Sequence, residues 1–173
     1  MTNHVHLLIT PHTENGISKM MQMIGRYYLH HFNKRYKRTG TLWEGRYKAT
    51  LINTQQYLLS CMRYIEENPV RARNMCQHPS EYRWSRYACN AQGHNDEIIT
   101  CQKEYKALAK SATGRQKAYK NIFRKPLEIK TLKEIRESTN KAWVLGDNKF
   151  KRRIAKKLTQ SVESKDHGGE RRS

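Results

Sequence analysis

The spacing of apolar residues near the amino end of the chain first follows a period of two. In residues 4–10, His4, His6 and Leu8 fall on one face, and the intervening apolar residues fall on the other. Such alternation is typical of a β-strand, because successive side chains of a strand point to opposite sides. We therefore predict a strand over residues 4–10, ended by Pro11.

Helical spacing takes over after this strand. Apolar and aromatic residues recur every three or four positions from Gly16, which predicts a helix that ends near Arg38, before the Thr39-Gly40 stop signal. Residues 41–52 are rich in aromatic and β-branched residues and predict a loop and a second strand. A second helix is expected over residues 55–67, ended by Pro69.

The remaining chain predicts an irregular stretch and then short helices. Pro79, Trp84 and Gly93 interrupt the irregular stretch. Helices are expected near 102–112, 114–123, 127–140 and 147–159, with Asp147 as a candidate cap for the last of them. The domain organisation that we predict is therefore a catalytic domain over 1–100, a helical region over 101–160 and a disordered basic tail over 161–173.

This count of elements contains only two strands. A two-stranded sheet is marginally stable in water unless a third strand or a helix covers it. We therefore expect a pairing strand to be supplied by another subunit or to be absent from this sequence.

The charge of the chain indicates a polyanionic partner. Thirty-four Lys and Arg residues against fifteen Asp and Glu residues give a formal charge of +19. Nucleic acid fits this charge best, since neutralising phosphates releases counterions. A membrane fits worse, because the chain has no long apolar run or signal segment. The four cysteines lack a C-x-x-C pair and are expected to be reduced thiols of a cytoplasmic protein; a disulfide framework is the alternative.

Two pairs of residues carry candidate chemistry. The imidazoles of His4 and His6 share a strand face and could bind one divalent ion, or they could be ordinary surface histidines. Tyr64 and Asn68 lie one helical turn apart. An amide oxygen suits a hard cation such as Mg²⁺ or Mn²⁺, and a tyrosine can attack a phosphodiester. The alternative is that Tyr64 is a core aromatic residue and Asn68 a helix cap.

Several blocks of sequence, in this order, resemble the REP-associated tyrosine transposases. Residues 1–8 resemble the HUH segment (two histidines around a hydrophobic residue) of single-tyrosine transposases. The blocks at 40–48 (GTLWEGRYK) and 63–72 (RYIEENPVRA), and later ones at 82–87 and 143–147, resemble further parts of the REP-associated branch.

The resemblance implies a fold and a reaction. It implies an α+β fold, with a ferredoxin-like antiparallel HUH sheet covered by helices on one side and a carboxy-terminal helical extension. The family places a strand and a helix before the position of Met1, so we expect the sheet to be incomplete at its amino end and prone to aggregation. The implied reaction cuts and rejoins single-stranded DNA at palindromic hairpins through a 5′-phosphotyrosine, in the bacterial cytoplasm at the nucleoid.

The resemblance also assigns roles to individual residues. Tyr64 would be the nucleophile, and His4, His6 and Asn68 would bind Mg²⁺ or Mn²⁺. A monomer is favoured, although the residues do not decide the oligomeric state. The candidate DNA contacts near the motif blocks, each of which could equally be surface charge, are Arg46, Lys48, Arg71, Arg73, Arg83 and Arg86.

The sequence leaves alternatives for the roles of two tryptophans and for the function of the chain. Trp43 and Trp84 could stack on DNA bases, but packing against the sheet is favoured. The rival to the enzyme is a non-catalytic nucleic-acid-binding remnant of such a transposase. A third interpretation is a plain basic RNA-binding protein in which the spacings are coincidental.

Overall fold

The computed structural model describes residues 3–71 and 75–157. Within these ranges the chain forms two compact units. Residues 6–48 form the first, which we call the α1 unit. The described residues of 1–5 and 49–157 form the second, which we call the α2 unit. The domain boundary predicted at residue 100 stays a prediction.

The α1 unit is built on one long helix, α1 (Gly16–Tyr36). The helix ends where Lys37 adopts a left-handed conformation, with φ 48°, and its N–H donates to the carbonyl of Asn33. This is a common way to satisfy the last carbonyls of a helix, and it lies close to the predicted end. No residue of α1 is buried.

Trp43 packs on α1. Its indole N–H donates to the carbonyl of Gly25 at 3.4 Å, and its ring centroid lies 5.9 Å from that of Tyr28. The predicted packing of Trp43 against a sheet is wrong, since its ring contacts helix α1 and the described residues contain no strand.

The α2 unit consists of six α-helices and a 3₁₀ turn among its described residues. Helix α2 packs against the 3₁₀ turn, α4 and α6, while α3 packs against α5. The elements are α2 (Thr54–Arg71), the 3₁₀ turn (Pro79–Glu81), α3 (Tyr87–Gln92), α4 (Lys103–Lys106), α5 (Ala112–Ile122), α6 (Ile129–Lys141) and α7 (Asn148–Ala155).

The predicted α+β fold with a ferredoxin-like antiparallel sheet is wrong, since the described part of the chain contains no strand. Residues 4–10 and 41–51 carry no β-ladder, and the one β-bridge within residues 3–71 and 75–157 is an isolated parallel bridge between Ile52 and Leu145. Alternation yields a strand only when another segment offers hydrogen bonds to it. Val5, at 73% exposed, shows that the alternation does not place its apolar face in a core.

The helix predictions were more accurate. Helices α5, α6 and α7 fall within two residues of their predicted starts, and Asp147 caps α7 by accepting a hydrogen bond from the N–H of Phe150 at 2.7 Å. The helix predicted over 102–112 shrinks to the four residues of α4, and α3 was missed because six residues are too few for a periodic pattern. The predicted tail lies outside the described residues.

The prediction that Pro69 ends α2 is also wrong, because the helix continues to Arg71. A proline in the last turn removes one backbone donor, the one that would reach the carbonyl of Ile65, and leaves the other residues of the turn able to stay helical. Two neighbouring carbonyls also accept hydrogen bonds from donors outside the helical backbone ladder. The guanidinium of Arg71 donates to the carbonyl of Tyr64 at 2.6 Å, and the N–H of Met75 donates to the carbonyl of Pro69 at 3.1 Å.

Candidate functional site

Helix α2 carries the two candidate residues Tyr64 and Asn68 on its buried side. Tyr64 is 8% exposed and Asn68 is 7% exposed. Tyr64 belongs to an apolar cluster with Cys61, Ile135 and Leu145. The tyrosine is therefore positioned by the packing of α2 against α6 and the segment before α7.

A chain of ion pairs runs along α2 beside Tyr64. Glu67 accepts from Arg63 at 2.6 Å and from Arg71 at 2.5 Å, each one turn away. The Arg71 guanidinium also lies over the Tyr64 ring, 5.0 Å from its centroid. Burial lowers the pKa of Arg71, and the Glu67 carboxylate opposes that change. A cation held over the ring and bonded to the same residue's carbonyl fixes the orientation of Tyr64.

The two candidate histidines fall in different units. His4, in the α2 unit, is exposed, and its Nδ1 lies 2.8 Å from Oδ1 of Asn3. Because an amide oxygen only accepts, Nδ1 of His4 donates in this hydrogen bond. His6 is half-buried and belongs to the α1 unit.

The described residues contain no group of three or more His, Cys, Asp or Glu side chains that could hold a metal ion. The predicted ligand set contains an amide, so it is not such a group. The four cysteines are free thiols.

Sequence reasoning missed a buried carboxyl group on α2. Glu66 is 1% exposed, and its Oε1 accepts a hydrogen bond from Nδ2 of Asn90 at 3.3 Å. The carbonyl of Asn90 in turn accepts from the Tyr105 hydroxyl at 2.7 Å. A Glu in a helix usually faces solvent. The one signal in the sequence was that Glu66 lies one turn after Met62 on the apolar side of α2. Its contact with Asn90 on α3 joins two separate helices, and a single sequence does not reveal such a contact.

Burial raises the pKa of Glu66 to about 7, because the low-dielectric surroundings disfavour the charged form. The hydrogen bond from Asn90, the neighbouring Tyr119 side chain and the charge of Arg86 oppose this change. Among the described residues, neither Glu66 Oε2 nor the Tyr119 hydroxyl has a hydrogen-bond partner.

The candidate DNA contacts divide into exposed and internally bonded residues. Arg46 and Lys48 are exposed in the α1 unit. Arg86 is half-buried and donates to the carbonyl of Thr100 at 2.8 Å, and Arg71 is engaged as described above. Arg73 lies outside the described residues.

Arg83 and Trp84 form an exposed pair in the α2 unit. The Arg83 guanidinium lies 4.7 Å from the centroid of the Trp84 ring, and Trp84 is 75% exposed. The preference for packing against a sheet is therefore wrong for Trp84, since no sheet is present among the described residues to receive it.

Comparison with known proteins gives one result. Residues 1–68 match the family model described as Transposase IS200 like. No curated protein and no solved structure gives a significant match to the chain. Among the described residues, no helix is long and apolar enough to cross a membrane.

The matched stretch contains His4, His6, Tyr64 and Asn68, and it ends on the last of them. It covers 68 of the 173 residues, which is less than half of the chain. Over that stretch the chain is similar to the IS200-like transposases, which connects it with DNA binding and DNA transposition.

Proposed function

We propose that this chain cuts and rejoins single-stranded DNA at hairpin-forming palindromes, as a tyrosine transposase of the REP-associated type. The observation that carries the proposal is the transposase match over residues 1–68, which includes every residue of the predicted chemical centre. The formal charge of +19 supports a nucleic-acid substrate.

Tyr64 is the nucleophile in this proposal. Its hydroxyl oxygen attacks the phosphorus of a phosphodiester, the new Tyr–O–P bond forms, and the bond between phosphorus and the 3′-oxygen breaks. The phenolic proton leaves to solvent and the 3′-oxygen takes up a proton, so the products are a 5′-phosphotyrosine and a free 3′-hydroxyl. Because the number of phosphate ester bonds is unchanged, rejoining needs no external energy source.

His4, His6 and Asn68 would hold a divalent cation, Mg²⁺ or Mn²⁺. Two imidazoles and an amide oxygen form a donor set that suits Mn²⁺ and accepts Mg²⁺. When bound, the cation would orient the scissile phosphate and offset charge on its oxygens.

The burial of Tyr64 favours a second candidate function, a non-catalytic DNA-binding protein. A nucleophile must contact its substrate, and Tyr64 is 8% exposed within an apolar cluster. Catalysis therefore requires the side chains that cover Tyr64 to move when DNA binds, whereas plain binding requires no such motion.

One experiment separates the two functions. The protein is incubated with labelled, hairpin-bearing single-stranded DNA and Mn²⁺, and adducts that resist denaturant are detected on a gel. The enzyme is expected to give an adduct that is lost in Tyr64→Phe and with chelator. Tyr57→Phe, on the same helix, is the matched control and should retain the adduct. Salt-sensitive binding without any adduct would overturn the enzyme proposal in favour of the binding protein.

A further inference from the structure

A cleft in the α2 unit lies apart from the residues assigned above. Its volume is about 400 Å³, within the range of roughly 300–1,000 Å³ that small-ligand sites usually occupy. Tyr87 and Phe123 form its apolar part, and their rings meet edge to face with centroids 5.0 Å apart. Neither aromatic belongs to the chemical centre or to the candidate DNA contacts.

The polar walls of the cleft offer donors. Lys120 and Arg124, near the end of α5, line one side, and His78 and Ser80, from the 3₁₀ turn, line another. The backbone N–H of Ser80 donates to Nδ1 of His78 at 3.2 Å, so the proton of the neutral ring is on Nε2, which is then a donor.

None of the residues that line the cleft is acidic. Two cations and an imidazole N–H beside aromatic rings are complementary to an anion attached to a planar ring. A phosphate alone would leave the apolar part of the cleft unused, and an apolar ligand alone would leave the cations without a partner. A nucleotide has both parts.

We propose that this cleft binds one nucleotide of single-stranded DNA, with its phosphate toward Lys120 and Arg124 and its base toward the half-buried Phe123 ring, which the buried Tyr87 supports from behind. The proposal rests on the proposed function for the choice of DNA. It adds a second point of attachment, on α3, α5 and the 3₁₀ turn, to the one on α2. The strand would then be held on residues outside the stretch that matches the transposase family.

The rigidity of the aromatic part favours a preformed site. His78 also meets the Tyr87 ring edge to face, with centroids 5.2 Å apart, and the Arg63 guanidinium lies 5.5 Å from the centroid of Phe123. These contacts hold both rings before any ligand arrives, so little ordering is needed on binding.

The test measures the salt dependence of DNA binding. Fluorescence anisotropy follows a labelled single-stranded oligonucleotide, in a Tyr64→Phe background so that covalent capture does not contribute. Lys120→Ala combined with Arg124→Ala should lower the slope of log K against log salt by about 1, the effect of one phosphate contact. The matched control is Lys106→Ala with Lys110→Ala, which removes the same charge from exposed positions with the same sequence spacing and should leave the slope unchanged.

A second measurement does not depend on these variants. Deoxythymidine 5′-monophosphate is titrated into the wild-type protein, and shifts are expected in the NMR signals of the His78 ring and the Phe123 amide, but not at Lys106. An equal slope in both double variants, or no shift at His78 and Phe123, overturns the proposal. The adduct experiment, on the protein that retains Tyr64, separates this proposal from the proposed function. If the two double variants have equal slopes and the adduct forms, the cleft alone is refuted. If the slopes differ as expected and no adduct forms, the enzyme alone is refuted.

Discussion

Replacing Glu66 by Gln is expected to stabilise the protein above neutral pH. Gln keeps an oxygen that can accept from Asn90, and it carries no charge to bury. Its amide N–H₂ can also donate toward the Tyr119 hydroxyl oxygen, which lacks a hydrogen-bond partner among the described residues. The substitution therefore removes a buried charge while preserving the hydrogen bond on α3.

The magnitude follows from the pKa. Glu66 titrates at about 7 in the folded protein and at 4.5 in an ordinary environment. The folded state therefore binds this proton more tightly than the unfolded state does. The stability that the protonated Glu66 contributes is fully present below pH 4.5 and is lost as the pH rises through 7. Since each pKa unit is worth about 1.4 kcal/mol, the loss above pH 7 is about 3 kcal/mol, which we take as an upper bound because neighbouring groups relax.

The assay is urea unfolding, followed by circular dichroism, at pH 5 and pH 8. Glu66→Gln should be more stable than wild type by up to about 3 kcal/mol at pH 8, with most of the difference gone at pH 5. Glu97→Gln, at an exposed position, removes the same charge and should show little difference at either pH. A Glu66→Gln protein that is less stable at pH 8, or whose difference does not vary with pH, would refute the reasoning.

Three further predictions concern the core, the thiols and the metal. Met62 is 2% exposed, so Met62→Ala should lower the free energy of unfolding by about 2–5 kcal/mol, whereas the exposed Met23→Ala should change it little in the same urea experiment. Burial raises the pKa of the Cys61 thiol to about 12, so iodoacetamide at pH 8 should label the exposed Cys101 first and Cys61 only in urea; equal labelling of both in the native protein would contradict the packing of α2. His4→Ala should weaken Mn²⁺ binding at least about tenfold, measured from the electron paramagnetic resonance signal of the free ion, and unchanged affinity would remove His4 from the ligand set.

Helices were predictable because their signals are local. The spacing of Tyr57, Leu58, Cys61 and Met62 marks the buried side of α2, and Asp147 marks the start of α7, with no information from the rest of the chain. The strand over 4–10 failed because pairing is not local: alternation around His4 describes a segment that could pair, and no partner pairs with it among the described residues. The prediction that Pro69 ends α2 failed because a proline in the last turn of a helix removes only its own N–H donor, and the remaining residues of that turn can keep helical geometry.

The candidate site was predictable in part for the same reason. One helical turn places Tyr64 and Asn68 on one side of α2, as the spacing predicted. Their burial, and that of Glu66, depends on α3, α5 and α6, which follow α2 only after intervening loops and turns in the sequence. The cleft near α5 could not be predicted, because its residues come together only in the folded chain and His78 and Arg124 are far apart in sequence.

Helix α1 has a consequence for how the stability of this protein is measured. Because none of its residues is buried, only its own hydrogen bonds protect its amide hydrogens. Deuterium exchange in α1 should therefore proceed through local fraying, while the interior turns of α2 exchange through global unfolding. The same helix contributes to the circular dichroism signal but exposes little new surface on unfolding. The dependence of unfolding on urea should accordingly be shallower than the chain length implies.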